Sequence, residues 1–336
     1  MNSKLNAWKI AFLIFLIAGT VYILGKQKPY ITNSGKVFGT FYNITYSSDA
    51  DLHEEIKEAL MKVDRSLSPY NKESIITAIN NNADTTPDSM FTHVFNLAQE
   101  ISAKTGGAFD ITVAPLVNAW GFGFRKGITP DSATIDSLCR YTGYTSVALV
   151  DGKIVKQHNE TMLDCSAIAK GFGSDIVAAT LDAHGVENYM IEVGGEVVAK
   201  GKNAKGGLWT IGISKPTDNP TTTTNELHEV ICITGKSMAT SGNYRNYRIE
   251  GGKKLAHTID PSTGYPVQHS LLSATVIADD CAKADAFATA FMVMGKEKAM
   301  EYCKGDRSIE GYFIYSDENG NMQTAMTEGF RKYIRR

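Results

Sequence analysis

Asp285 and Thr289 stand four residues apart in a run of small and apolar residues, 284–294, whose pattern predicts a helix. Residues at i and i+4 share a helix face, so a carboxylate and a hydroxyl would project together. Such a pair suits a hard cation such as Mg2+, which takes few protein oxygens and completes its octahedron with water and phosphate. It equally suits a plainer role, with Thr289 bonding the carbonyl one turn back and Asp285 favoured near the helix start. A second stretch, Asp164-Cys165-Ser166-Ala167-Ile168-Ala169-Lys170-Gly171-Phe172-Gly173-Ser174-Asp175, passes from an acid through a small-residue turn into a predicted helix. Ile168, Phe172, Ile176 and Ala183 recur near helical spacing, and Gly185 stands where a C-cap would. A helix start presents unpaired N–H groups and favours an anion, and Lys170 would add charge at that point. Gly171 and Gly173 serve either a close ligand or tight helix packing. His257, just before the turn signature Asp260-Pro261-Ser262-Thr263-Gly264, is a candidate base or a structural histidine.

The familiar catalytic motifs fail residue by residue. Gly235-Lys236-Ser237 resembles the end of a phosphate loop, but the glycine required at 230 is Val230. Gly121-Phe122-Gly123 lacks its third glycine, since 126 is Lys126. Neither G-x-S-x-G nor H-E-x-x-H occurs, so the classical hydrolase and zinc-protease readings drop out. No basic cluster is interleaved with aromatics, which argues against nucleic acid. Five cysteines, at 139, 165, 232, 281 and 303, form no C-x-x-C pair, and their odd number argues against a zinc site or a disulfide scaffold. One disulfide stays open for an exported chain.

The 336 residues, 43% hydrophobic, allow one large core or two smaller ones. The first thirty residues hold four lysines and no acid, which leaves 30 basic against 36 acidic residues in the remainder. Within them an uncharged run, 10–24, follows Lys9 and precedes Lys26 and Lys28. It is short for a spanning helix, though Ala7 and Trp8 extend it. It reads as an uncleaved signal anchor over residues 1–25, ahead of a cleaved signal, with the folded domain outside the cytoplasm. A linker is expected over 26–36 and a folded domain over 37–336.

The elements that must position the chemistry follow in order. A strand is expected over 37–46, then a helix with Leu52, Ile56, Ala59, Leu60 and Val63 on one face. Ser68-Pro69-Tyr70-Asn71 is a turn, and Ser74 opens a short helix. A longer helix over 89–104 buries Met90, Val94, Leu97, Ala98 and Ile101 and stops at Gly106-Gly107. Trp120-Gly121-Phe122-Gly123-Phe124 fits either a loop lining a flat ring or an aromatic core corner. Residues 128–160 read as an inserted helix and hairpin with Asp151-Gly152 at its turn. After the central helix, strands dominate, with a polar loop over 215–226 and a helix over 284–294. Helices and strands mix without strict alternation, which predicts an α+β fold.

Together these stretches resemble the ApbE family, the FAD:protein FMN transferases of bacterial cell envelopes. The resemblance rests on nine pieces in the family's order: Phe38-Gly39-Thr40-Phe41-Tyr42; Ser68-Pro69-Tyr70-Asn71; Gly106-Gly107-Ala108-Phe109-Asp110-Ile111-Thr112-Val113; Trp120-Gly121-Phe122-Gly123; 164–171; Val193-Gly194-Gly195-Glu196; Ala239-Thr240-Ser241-Gly242-Asn243-Tyr244; His257-Thr258-Ile259-Asp260-Pro261; and Asp285-Ala286-Phe287-Ala288-Thr289. It implies a T-fold-like α+β domain with two lobes around a flavin cleft. It implies further that Phe38 (methionine is usual in the family), Tyr70, Ala108, Phe109, Asp110, Asp164, Lys170 and Ile259 contact FAD. The carbonyl of Ala167, with Asp285 and Thr289, would hold Mg2+.

The reaction so implied transfers FMN from FAD to a threonine hydroxyl of a partner protein and releases AMP, with His257 or Asp285 as the base. The implied partners are envelope redox subunits, such as those of ion-pumping NADH:quinone or ferredoxin oxidoreductases. The implied location is the bacterial inner membrane with a periplasmic catalytic domain. Two alternatives stand beside it: an FAD pyrophosphatase that gives water the acceptor's role, and a flavin-binding envelope protein without catalysis.

Overall fold

The computed structural model describes residues 2–25, 28–124, 130–216, 226–243, 247–250 and 253–335. Its strands, in chain order, are β1 (Tyr30–Val37), β2 (Thr40–Ser47), β3 (Val147–Val150), β4 (Lys153–Lys156), β5 (Tyr189–Val193), β6 (Glu196–Lys200), β7 (Trp209–Ser214), β8 (Leu227–Ile233), β9 (Lys236–Gly242), β10 (Tyr247–Glu250), β11 (Lys253–Ala256), β12 (Leu271–Ala278), β13 (Glu310–Ser316) and β14 (Met322–Met326). The helices are α1 (Asn2–Gly25), α2 (His53–Leu67), α3 (Ile75–Asn80), α4 (Ser89–Lys104), α5 (Ala114–Ala119), α6 (Ser132–Cys139), α7 (Ala169–Ala183), α8 (Cys281–Met294) and α9 (Lys296–Gly305).

Eight strands form one antiparallel sheet in the order β1-β2-β5-β6-β9-β12-β13-β14. Alternation along each strand gives the sheet two apolar faces. On one face Ala274 and Val276 of β12 join Ala284, Ala288 and Phe291 of α8 in the largest core cluster, while Ile44 and Ile191 meet Ile56 and Leu60 of α2 and Val177 and Leu181 of α7. On the other, Val197, Met238, Ile277, Tyr312 and Ile314 receive Trp209, Ile211, Ile213, Ile231 and Ile233 of the β7–β8 hairpin. The result is a helix layer, a long sheet and a hairpin layer, the α+β architecture the sequence predicts.

Several local expectations hold. Helix α4 spans the predicted residues and is capped by Asp88, whose side chain accepts from the amide of Phe91. Phe91 and Phe95 join its buried face, while Met90 and Leu97 are partly buried against the same core. Ser74 caps α3. Asp151 and Gly152 take φ of 49° and 74° in the β3–β4 hairpin, as an Asp-Gly turn requires.

Two boundaries differ. The folded domain begins seven residues before Val37, because Tyr30–Val37 pairs along its whole length with β2 and is strand, not linker. Its Thr-Asn-Ser-Gly-Lys composition hides this, since much of the strand stays open to solvent. Helix α8 begins at Cys281, where Asp175 of α7 accepts from the amides of Cys281 and Ala282 at 2.9 and 2.8 Å. Helix α1 covers the apolar N-terminal run. Among the described residues no helix is long and apolar enough to cross a membrane. All five cysteines are free thiols. Most of the expected polar loop over 215–226 lies outside the described residues, as does Tyr244.

Candidate active site

Helices α7 and α8 lie side by side, and the small residues of both permit their close approach. A side chain at Gly171 would meet the carbonyl of Cys281 and the backbone of Ala282. This contact brings Asp285 against the first turn of α7. Its Oδ2 accepts from the amide of Gly171 at 3.0 Å, and its Oδ1 lies 3.5 Å from Lys170 Nζ. Lys170 in turn donates to Oε1 of Glu196 at 3.0 Å, across from the β5–β6 turn at Gly194 and Gly195. Both glycines have positive φ, 66° and 105°, and Gly194 leaves room for Thr40 and the Lys170 stem.

Glu196 and Asp285 are 3% and 2% exposed, so their charges are felt strongly. Burial would lower the pKa of Lys170, but Asp285 and Glu196 more than offset this and raise it, so the ammonium form is held. Burial raises Glu196 against the pull of Lys170, and Asp285 pushes it further up. Oε2 of Glu196 has no hydrogen-bond partner among the described residues. Two buried carboxyl groups face one ammonium and one oxygen of Glu196 is left without a partner, so the site can take a further positive charge, which would displace the proton that burial favours on Glu196. A hard cation fits that place. Thr289 lies one turn on from Asp285, and its hydroxyl pairs with Ser241 of β9 at 3.0 Å. Among the described residues no three His, Cys, Asp or Glu side chains gather as a metal cluster, so any ion here would rely on mixed oxygen donors.

This cluster forms the floor of a cleft of about 730 Å³. Of the predicted site residues, Tyr70, Ala108, Phe109, Asp110, Asp164, Ala167, Lys170, His257, Ile259, Asp285 and Thr289 all line it. Phe38 does not. It occupies the β1–β2 turn at φ 52°, and its ring packs over Gly173, so it supports α7 from behind. Asp110 does two things at once. Its carboxylate accepts from the amide and hydroxyl of Thr112 at 2.7 and 2.6 Å and from the amide of Tyr144 at 2.7 Å. It thereby fixes the loop that carries Ala108 and Phe109. Burial raises its pKa against those bonds. Asp164 accepts from the amide of Ser166 at 2.8 Å and shapes the turn leading to Ala167. Burial raises its pKa as well. In the aromatic stretch both readings apply: Trp120 is buried and donates to the Gly264 carbonyl at 2.8 Å, while Phe122 lines the cleft edge-on to His257.

Sequence reasoning passed over Glu196 and Ser241 as site residues. The signal for Glu196 was an acid directly after Gly194-Gly195. Its partner Lys170 lies 26 residues earlier, and only the packing of α7 on the sheet joins them.

Comparison with known proteins agrees with this geometry. The model of the ApbE family matches residues 38–313. A protein of Haemophilus influenzae named FAD:protein FMN transferase is 38% identical over 324 residues, covering 91% of this chain and 92% of its own. A solved flavin transferase from Vibrio cholerae superposes with a TM-score of 0.81 at 33% identity, covering 91% of this chain and 99% of that one. The apo flavinyl transferase of Pseudomonas stutzeri gives 0.81 at 29% identity, covering 91% and 97%.

Proposed function

The chain belongs to the ApbE family, and on that footing we propose that it moves FMN from FAD onto a threonine hydroxyl of a partner protein. It is a transferase, an FAD:protein FMN transferase. The observation that carries the reading is the charge cluster of Lys170, Glu196 and Asp285 on the floor of a cleft whose walls hold Tyr70, Phe109 and Phe122. Aromatic and apolar walls suit a flavin ring, and a charged floor suits a pyrophosphate.

In the proposed reaction the acceptor oxygen bonds to the FMN phosphorus. The bond from that phosphorus to the bridging oxygen breaks, and AMP leaves with the electron pair. The hydroxyl proton passes to a base, for which His257 and Asp285 are both placed in the cleft. Lys170, held protonated by its two carboxylates, offsets negative charge on the pyrophosphate. Asp110 and Asp164 hold the loops that carry the wall and the Ala167 carbonyl. We assign Mg2+ to the Ala167 carbonyl, Asp285 and Thr289; the unpartnered Glu196 oxygen and the two buried carboxyl groups support a cation there. When bound, the ion would draw charge from the phosphates.

The location we propose is the bacterial inner membrane, with the uncharged N-terminal run 10–24 as the attachment and the catalytic domain in the periplasm. The acceptors are then subunits of envelope redox complexes. Incubating the chain with FAD, Mg2+ and candidate acceptor subunits tests the reading. Acceptors should gain the mass of a covalently bound FMN on threonine; acceptors of unchanged mass beside intact FAD would sink it.

A further inference from the structure

The cleft extends beyond the charge cluster along strand β7, where Thr210, Gly212 and Ser214 line it together with Met190 and Glu192 of β5. Among the described residues, strand β7 has one neighbour. It pairs with β8, and β8 is closed on its far side by the chain end, where Ile231 bridges Ile334 and the amide of Arg335 donates to the Val230 carbonyl at 2.8 Å. Because both main-chain groups of a strand residue point the same way, that bond turns Val230 and Cys232 toward the chain end. Ile231 and Ile233 then face β7. Through the register Ile211↔Ile231, the residues of β7 that face β8 are Trp209, Ile211 and Ile213. The amides and carbonyls of Thr210 and Gly212 therefore face away from β8, and among the described residues they have no main-chain partner.

Among the described residues, the main sheet beneath this edge is covered on one half only. The hairpin packs over β6, β9, β12 and β13. On the same face, the first two strands expose Ser34, Lys36, Phe41 and Asn43, and Phe41 is 66% exposed. The open edge of β7 and this uncovered face form the side and floor of a groove. Strand β7 starts where Trp209 donates to the Lys200 carbonyl at the far end of β6. From there it runs along the cleft that also holds Gly194 and Gly195, beside Lys170.

We propose that this groove is where the acceptor protein docks: an extended segment of the acceptor adds as a strand to the free edge of β7 and lies over β2 and β5. This rests on the transferase reading above. A sheet edge recognises main chain, and the pockets beside it choose alternate side chains. An extended segment in this groove is led along the cleft wall toward the Lys170–Asp285 floor, where its hydroxyl must arrive. The continuity of the edge with the reaction cleft is the reason for choosing an acceptor strand over a second copy of this chain.

Recognition by main chain predicts that an unfolded peptide suffices. The test uses the full chain with FAD, Mg2+ and a set of synthetic decapeptides of varied sequence, each with one threonine, read by mass. Thr210→Pro removes the outward amide and leaves the β7–β8 ladder alone, a change tolerated at edge positions. It should lower kcat/KM for a labelled peptide roughly tenfold, the loss of about one main-chain bond to a partner. The Kd for FAD should stay unchanged, which also reports that the variant is folded. Thr210→Val keeps the amide and should lose far less kcat/KM than Thr210→Pro. Amides of Thr210 and Gly212 in the wild-type chain should exchange more slowly when peptide is added. Equal kcat/KM in Thr210→Pro, or unchanged exchange, overturns the docking edge. Peptides left unlabelled while a whole envelope protein is labelled overturn it too and leave the transferase reading standing. No FMN on peptide or protein defeats the transferase reading, and the docking edge with it.

Discussion

Replacing Asp285 by asparagine separates the metal-site reading from a structural one. The residue is 2% exposed and its side chain does two jobs: Oδ2 accepts from the Gly171 amide at 3.0 Å, and Oδ1 faces Lys170 at 3.5 Å. The asparagine carbonyl can keep the first bond, because its shape is nearly the same. It cannot keep the charge. A unit charge at such a distance is worth about 5 kcal/mol at an effective dielectric near 20, before desolvation is subtracted. After the change Lys170 faces Glu196 alone, and one of the two carboxyl groups that suit a cation is gone. Deleting one charge-stabilising contact at a reaction centre costs about 3–4 kcal/mol, so transfer should slow by roughly a hundredfold or more. FAD should bind somewhat more weakly through the cleft walls, and the Mg2+ concentration for half-maximal rate should rise. Thr289→Val should act in the same direction but less, since it removes a neutral oxygen. The assay follows AMP release and acceptor flavinylation against Mg2+ for wild type and both variants. An Asp285→Asn chain with the wild-type Mg2+ dependence would remove this residue from the metal site and with it the proposed reaction centre.

Further expectations follow from the same contacts. Glu196 has its carboxyl pushed up from 4.5 to about 8 by burial, against Lys170 and with Asp285. The folded state thus holds a proton that the unfolded state releases, and this contribution to stability is complete below pH 4.5 and is lost as pH rises toward 8. Without ligand, wild type should lose Tm across that window and Glu196→Gln should show a flatter profile; parallel profiles would contradict the assignment. Gly171→Ala places a methyl against the Cys281 carbonyl and should cost about 1–3 kcal/mol, seen as a fall of several degrees in Tm. An unchanged Tm would mean that α7 and α8 are not tightly packed there. A reporter active only in the periplasm, fused to the C-terminus, should give signal; a cytoplasm-only reporter that lights up instead would overturn the membrane topology.

Part of the site was legible in the sequence. Asp285 and Thr289 share a helix face by spacing alone, whereas Asp110 entered only through the family resemblance, and its bonds to Thr112 and Tyr144 emerge from the fold. Other parts depend on contacts that no window of sequence contains. Phe38 looks like a cleft residue until Gly173, far along the chain, receives its ring. Tyr30–Val37 reads as linker because its polar residues become a strand only when β2 pairs with them. Glu196 gains meaning from Lys170, brought to it by the packing of α7 on β6. The free edge of β7 is set by the register of β8 and by the chain end that closes β8, none of which is a pattern of residue types.

The most direct test of the central claim measures AMP and covalently bound FMN in the same reaction, with and without an acceptor subunit. With FAD, Mg2+ and acceptor, AMP released should equal FMN attached to threonine, and without acceptor little AMP should appear. AMP released at the same rate without acceptor, with FMN left free in solution, would contradict transfer and make the chain an FAD pyrophosphatase.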